Sequence, residues 1–239
     1  MPRKPQELIK KSPFYPYAYR LKKVVDASRR RFDYIRAEIE SKLQPRSNSH
    51  PLKLYAIDPN DVEVALQKEA LNNFTWRLSP ALDGEWDTKV EGINNYDVIY
   101  SLKNHFNEGL EWKETDLYSR AISCIDGSKR WIGRPNLSDR RDLRQYLKRI
   151  DGLYRKIKSK GYRTQRELAR EENQYFWVSD SAYETHEITV HLGRNGELIF
   201  EDGWHRFAIA RALGLERIPV RVAARHRDGQ SKLEKLPKY

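Results

Sequence analysis

Apolar residues recur at helical spacing over residues 17–43, where Leu21, Val25, Phe32, Ile35, Ile39 and Leu43 stand three, four or seven apart. Lys22, Lys23, Arg29, Arg30, Arg31 and Arg36 occupy the other positions. A second helical stripe, Leu143, Leu147, Ile150, Tyr154 and Ile157, predicts a helix over 138–159, stopped by Gly161. Helices are also expected over 95–106 and 116–125. Thr164 to Glu167 has the form of a capping box for a short helix. The pattern then changes. Residues 187–192 and 197–200 read as strands joined by the Asn195-Gly196 turn, a helix runs from about Trp204 to Leu213, and residues 218–222 form a third strand. Leu52 to Ile57 is a further short strand. Asp58 and Pro59 then open a helical turn, as a cap and a first-position proline. Residues 72–92 are polar and rich in turns, and 45–51 is a linker.

These elements predict an α+β protein, with a largely helical region of about 170 residues packed around a small α/β unit. The expected divisions are a basic aromatic extension at 1–50, a mainly helical region at 51–170, and the α/β unit at 171–239. The net charge of +11 over 239 residues is uneven. Residues 1–50 carry 13 basic and 5 acidic side chains, 51–128 carry 7 and 14, 129–170 carry 15 and 4, and 171–239 carry 10 and 11. The excess thus lies in two helical blocks, 1–50 and 129–170. Either would suit nucleic acid or an anionic membrane surface, or simply form a solvated helix face. The aromatic Phe14, Tyr15, Tyr17 and Tyr19 leave base stacking open for the first block. Mean hydropathy is −0.86, with no apolar run near the length of a membrane span. The amino-terminal residues lack the apolar stretch of a secretory signal, and Cys124 is the only cysteine, so a cytoplasmic setting is expected. No zinc, P-loop, Rossmann or serine-hydrolase motif is present.

The chemistry concentrates where a strand meets a helix, at Asp202-Gly203-Trp204-His205-Arg206. Gly203 permits a sharp turn and close approach of a ligand. The amides of Trp204, His205 and Arg206 would be unpaired donors at a helix N-terminus, which attracts phosphate. Arg206 can add a charged fork. Asp202 at the mouth can accept a proton or hold Mg²⁺, and His205 can donate to phosphate or shuttle a proton. The plainer alternative makes Asp202 an N-cap and His205 and Arg206 first-turn surface residues.

The longer string, with Phe207-Ala208-Ile209-Ala210, Leu213-Gly214 and Ile218-Pro219-Val220-Arg221-Val222, resembles the core of the ParB/sulfiredoxin superfamily over residues 187–226. The resemblance implies phosphate binding by Gly203, His205 and Arg206. Trp204 stands where sulfiredoxins carry their catalytic cysteine. ParB partition proteins have Gly-Glu-Arg-Arg at this turn and a DNA-binding domain afterwards, and the few residues after His226 are too short for one. The closest motif is that of the free-serine kinases, Asp-Gly-His-His-Arg, from which this chain departs at Trp204. That branch also uses an upstream glutamate, for which Glu184 and Glu187 are candidates.

The function expected from the resemblance is transfer of a phosphoryl group from ATP or another nucleotide, with Mg²⁺, to an unknown hydroxyl acceptor. Asp202, His205 and Glu187 are the candidate catalytic residues and Asp202 the metal ligand. The alternatives are a ParB-like nucleic-acid binder or nuclease, and a nucleotide sensor without catalysis. Arg225 and His226 end the third strand and are candidate phosphate or substrate contacts. Trp86, Asp87 and Trp112 lie in acidic loops that would wall a substrate pocket or anchor helices. His191 is expected to be structural.

Overall fold

The computed structural model describes residues 53–67, 70, 81–127, 137–171 and 186–239. The expected helix at 17–43, the linker at 45–51, the basic block at 1–50 and Glu184 lie outside them. The described residues have an α+β fold built on one six-stranded mixed sheet. The strands are β1 (Leu54–Ile57), β2 (Val64–Leu66), β3 (Val90–Gly92), β4 (Ile188–Leu192), β5 (Leu198–Asp202) and β6 (Ile218–Arg225), in the order β1-β6-β4-β5-β2-β3. β4 and β6 run parallel, as do β2 and β5, while the other neighbours are antiparallel. One sheet thus joins strands from residues 54–92 to strands from residues 188–225. β2 and β3 were not expected from the sequence, because three residues each are too few to establish an alternation.

The described helices are α1 (Asp97–Glu108), α2 (Asp116–Ile125), α3 (Arg140–Lys160), α4 (Gln165–Glu171), α5 (Trp204–Ala212) and α6 (Gln230–Leu233). Their ends follow the local chemistry. Asp139 caps α3 by accepting from the amides of Arg141 (2.7 Å) and Asp142 (2.8 Å). Thr164 and Glu167 form the expected reciprocal pair at α4: Glu167 Oε2 accepts from the Thr164 amide at 2.8 Å, and Thr164 Oγ1 accepts from the Glu167 amide at 3.1 Å. α1 ends on Gly109, whose positive φ of 77° suits glycine. None of the described helices is long and apolar enough to cross a membrane.

The main core lies between one sheet face and the helices. Ile188, Val190, Leu192, Phe200, Val220 and Val222 meet Leu102, Leu117, Leu143, Leu147, Ile150 and Phe207. α5 buries Phe207, Ala208, Ile209 and Ala210 in succession, so it is enclosed and not merely amphipathic. Phe200 and Phe207 are fully buried with ring centroids 4.7 Å apart, and truncating either to alanine costs about 3–5 kcal/mol. The second sheet face holds a smaller cluster of Leu66, Ala70, Trp86 and Ile199. The register between β4 and β6 shifts partway along the pair. Val190 pairs with Val222, but Leu192 pairs with Arg225. The extra residue in β6 turns Arg225 onto the main-core face that Leu192 shares.

Candidate functional site

β5 delivers the chain to the top of the sheet, and Gly203 turns it into α5. Gly203 has φ 96° and ψ 26°, and a Cβ there would sit 3.0 Å from the Ile188 Cα. Both the backbone conformation and the approach to β4 therefore require glycine, whether or not a ligand binds. Gly203, not Asp202, is the N-cap residue. The Asp202 carboxylate accepts from the Gly203 amide at 2.7 Å and is exposed. No side chain caps α5, whose first backbone bond runs from the Phe207 amide to the Gly203 carbonyl at 3.0 Å. The amides of Trp204, His205 and Arg206 precede that bond and are the donor positions of the helix N-terminus. No acidic residue lies in the first turn. The Trp204 ring packs on Phe200 and Tyr96, both 4.4 Å away between centroids, so only its amide belongs to the turn.

Arg206 is held from the side. Its Nη1 donates to Glu187 Oε2 at 3.1 Å, and its Nη2 donates to the His186 carbonyl. Glu187 is 2% exposed and its other oxygen accepts from the Gln165 amide. Burial pushes the Glu187 carboxyl above its ordinary range, with Arg206 opposing. Tyr162 lies in the same electrostatic neighbourhood, its hydroxyl pushed up by burial. Glu187 therefore serves Arg206 in this arrangement and does not face solvent beside the turn.

His205 turns inward. Its Nε2 lies 2.6 Å from the Tyr146 hydroxyl on α3. Burial pushes His205 down to about 4, the Arg120 and Arg206 charges act in the same direction, and Asp202 opposes them. Burial also raises Tyr146. At neutral pH the imidazole is uncharged and the phenol protonated, so Tyr146 can donate to Nε2. His205 thus lacks the positive charge that would draw phosphate to its side chain. Behind it, Arg120 of α2 is ion-paired with Asp97 of α1, so the helices bring a cation to the floor of the turn. Tyr146 and Arg120 were missed by sequence reasoning. Tyr146 lies among the helical stripe residues of α3, and no local signal links it to His205, 59 residues away.

The remaining candidates do not gather at this turn. In the register, Leu192 faces both Leu198 and Arg225, four residues along β5 from Asp202. Arg225 therefore lies about 13 Å from Asp202 along the sheet, at its opposite end. His226 follows it there, with Nε2 3.1 Å from the Gly84 carbonyl. Trp86 packs edge-on against His191 at 5.7 Å and lies 6.4 Å from His226, on the second sheet face. Asp87 is 4% exposed and accepts from the Arg194 amide (2.8 Å), Nε (2.9 Å) and Nη2 (2.6 Å). Burial raises its carboxyl, yet these bonds hold it below the ordinary range. Trp86 and Asp87 thus anchor the 82–89 loop to the sheet. Trp112 stacks on His105 at 3.9 Å and donates its indole N–H to Asp151 of α3 at 3.0 Å, tying α1 to α3. His191 is fully buried beside Glu201 at 3.2 Å, a structural placement.

Among the described residues no group of three or more His, Cys, Asp or Glu could hold a metal ion. Asp202 alone fits Mg²⁺ in the manner of a single carboxylate, since that ion usually keeps water and takes its other ligands from substrate phosphates. No family model, curated protein or solved structure matches the chain.

Proposed function

We propose that the turn at Gly203–Arg206 binds the phosphates of a nucleotide and that the protein is a kinase-like phosphotransferase. The observation that carries this reading is an α5 N-terminus with no side-chain cap and no first-turn acid, flanked by exposed Asp202 and by Arg206 fixed from behind. The resemblance of residues 187–226 to the ParB/sulfiredoxin superfamily, closest in motif to the free-serine kinases, supports the same role. The amides of Trp204, His205 and Arg206 would bind phosphate oxygens. Asp202 would take the proton of an acceptor hydroxyl. The acceptor oxygen would then bond the terminal phosphorus as the bond to the nucleoside diphosphate breaks. Mg²⁺, held through Asp202, would neutralise phosphate charge. Catalysis would rest on positioning and electrostatics. Thermal unfolding with ATP, ADP, CTP and GTP, with and without Mg²⁺, tests the binding step. If none raises the unfolding midpoint, the reading fails. Asp202→Asn should keep nucleotide affinity in the absence of Mg²⁺ and lose transfer. Wild-type binding without transfer to any acceptor would favour a sensor.

A second reading is favoured by one feature of α3. Arg140, Arg141, Arg144, Lys148, Arg149 and Arg155 are all exposed along this helix. Such a face suits the phosphates of nucleic acid. It predicts random-sequence DNA binding that weakens steeply with salt, and no binding at low salt would remove it.

A further inference from the structure

His205 has two ring nitrogens, and the protein engages one of them. Nε2 lies 2.6 Å from the Tyr146 hydroxyl, with ring centroids 5.4 Å apart and planes at 74°. That separation is shorter than the usual N–H···O distance of about 2.9–3.0 Å and suits the hydroxyl as donor. Burial keeps the phenol protonated and the imidazole uncharged at pH 7, so the protons needed for this arrangement are present. A neutral imidazole has one N–H, and a ring that accepts at Nε2 carries it on Nδ1. Nδ1 makes no hydrogen bond among the described residues, yet it is not sealed from solvent. It is therefore an open donor on the first turn of α5. Both cations that act on the ring are already paired, Arg206 with Glu187 and Arg120 with Asp97. An uncharged, directed N–H thus stands beside the amides of the turn.

We infer that Tyr146 is a positioning residue of the turn: by donating to His205 Nε2 it fixes the single ring proton on Nδ1, which donates to a phosphate oxygen. The inference rests on the reading of Gly203–Arg206 as a phosphate site. Tyr146 acts from behind the ring and does not touch the ligand. Its effect is one of tautomer. With the proton on Nδ1 the ring meets a phosphate oxygen with a donor, whereas with the proton on Nε2 it would turn a bare lone pair towards that oxygen and repel it. α3 thereby takes part in a site built on α5, through a contact 59 residues apart in the chain.

The test joins ring ¹⁵N NMR of the full chain without ligand to calorimetric titration of ADP with Mg²⁺, both at pH 7. The ¹⁵N shifts distinguish a protonated ring nitrogen from a bare one. In the wild type His205 should show a protonated Nδ1 and a bare Nε2, a result that needs no variant. Tyr146→Phe keeps the aromatic ring in the core and removes the donor. In it the proton should be shared between the two nitrogens, and ADP should bind about threefold to tenfold more weakly. A proton on Nε2 in the wild type overturns the inference. So does a variant with unchanged tautomer, even if it binds ADP more weakly, because Tyr146 would then act only through packing. A changed tautomer with unchanged ADP affinity overturns it as well, since Nδ1 would not meet the phosphate. If the wild type does not bind ADP, the phosphate reading falls and this role falls with it. The wrong tautomer beside intact ADP binding removes the inference alone.

Discussion

Two arginines stand at opposite ends of one sheet, and their surroundings differ. Arg206, beside the turn, gives one nitrogen to Glu187 and another to the His186 carbonyl. Arg225, at the far end of β6, has two sealed nitrogens without a hydrogen-bond partner, and among the described residues no carboxylate pairs with it. In the first case the protein supplies the counter-charge itself. In the second it leaves positive charge uncompensated. A pair withdrawn from water is a structural device, because each member makes the other tolerable. A buried unpaired cation weakens the fold unless something outside the chain completes it. The comparison thus separates an arginine that shapes a site from one whose charge the described residues leave unbalanced.

The largest test of that difference is Arg206→Met. Glu187 would lose its counter-charge while remaining buried, and stability should fall by about 3–5 kcal/mol at pH 7. The pH dependence identifies the cause. Glu187 already has a raised folded pKa, so the folded state binds its proton more tightly than the unfolded state. Its contribution therefore declines as pH rises from the ordinary glutamate range through the folded value. Without Arg206 that folded value rises further, so the loss should be greater at pH 7 than at pH 4. Chemical denaturation at the two pH values measures it, and an equal loss at both would show that packing, not charge, is at stake.

His205 gives the next effect. Its folded pKa of about 4 lies below the ordinary value of 6.5. The neutral form is favoured by folding, so its contribution is complete above about pH 6.5 and is lost as pH falls through about 4. His205→Phe should flatten the stability profile across that window. A profile as steep as that of the wild type would show that the Tyr146 contact does not govern the proton. At the far end of the sheet, Asp87→Asn should cost about 1–3 kcal/mol, because it removes the charge from a bidentate bond to half-buried Arg194. Asp87 has a lowered folded pKa, so its stabilisation holds above the ordinary aspartate range and disappears as pH falls through the folded value. The substitution should remove that acid limb of the profile.

The two ends were not equally legible in the sequence. The hairpin of β4 and β5, the turn at Gly203 and the start of α5 are contiguous, and their signals are local: strand alternation, Asn195-Gly196, then glycine before a helix. Arg225 and His226, the candidate phosphate or substrate contacts, lie at the end of the sheet away from the turn, because strand direction decides their place. β4 runs parallel to β6 and antiparallel to β5, so the ends of β5 and β6 point opposite ways. The extra residue that turns Arg225 onto the Leu192 face leaves no mark in composition or periodicity. The Trp86 loop likewise reads as an acidic aromatic turn until Arg194, 107 residues away, is seen to hold it. Expected roles for the His205 and Arg206 side chains as phosphate ligands overlooked partners on α3 and at the start of β4. Backbone geometry was legible because its signals are local, whereas charge pairing across the sheet and helices was not.

The smallest effect is expected at Arg225, and it is the most discriminating. Arg225→Met keeps a long apolar stem against the Leu192 face and removes a charge that no carboxylate among the described residues balances. In buffer without oxyanions the variant should lie within about 1 kcal/mol of the wild type, or above it, because an unpaired buried cation is replaced by a side chain that belongs in a core. Arg206→Met should never approach this, since it strands Glu187. Thermal or chemical unfolding of the two variants side by side gives the ratio directly. If Arg225→Met loses as much as Arg206→Met, the cation has a partner that the described residues do not include, and the contrast between the two ends collapses.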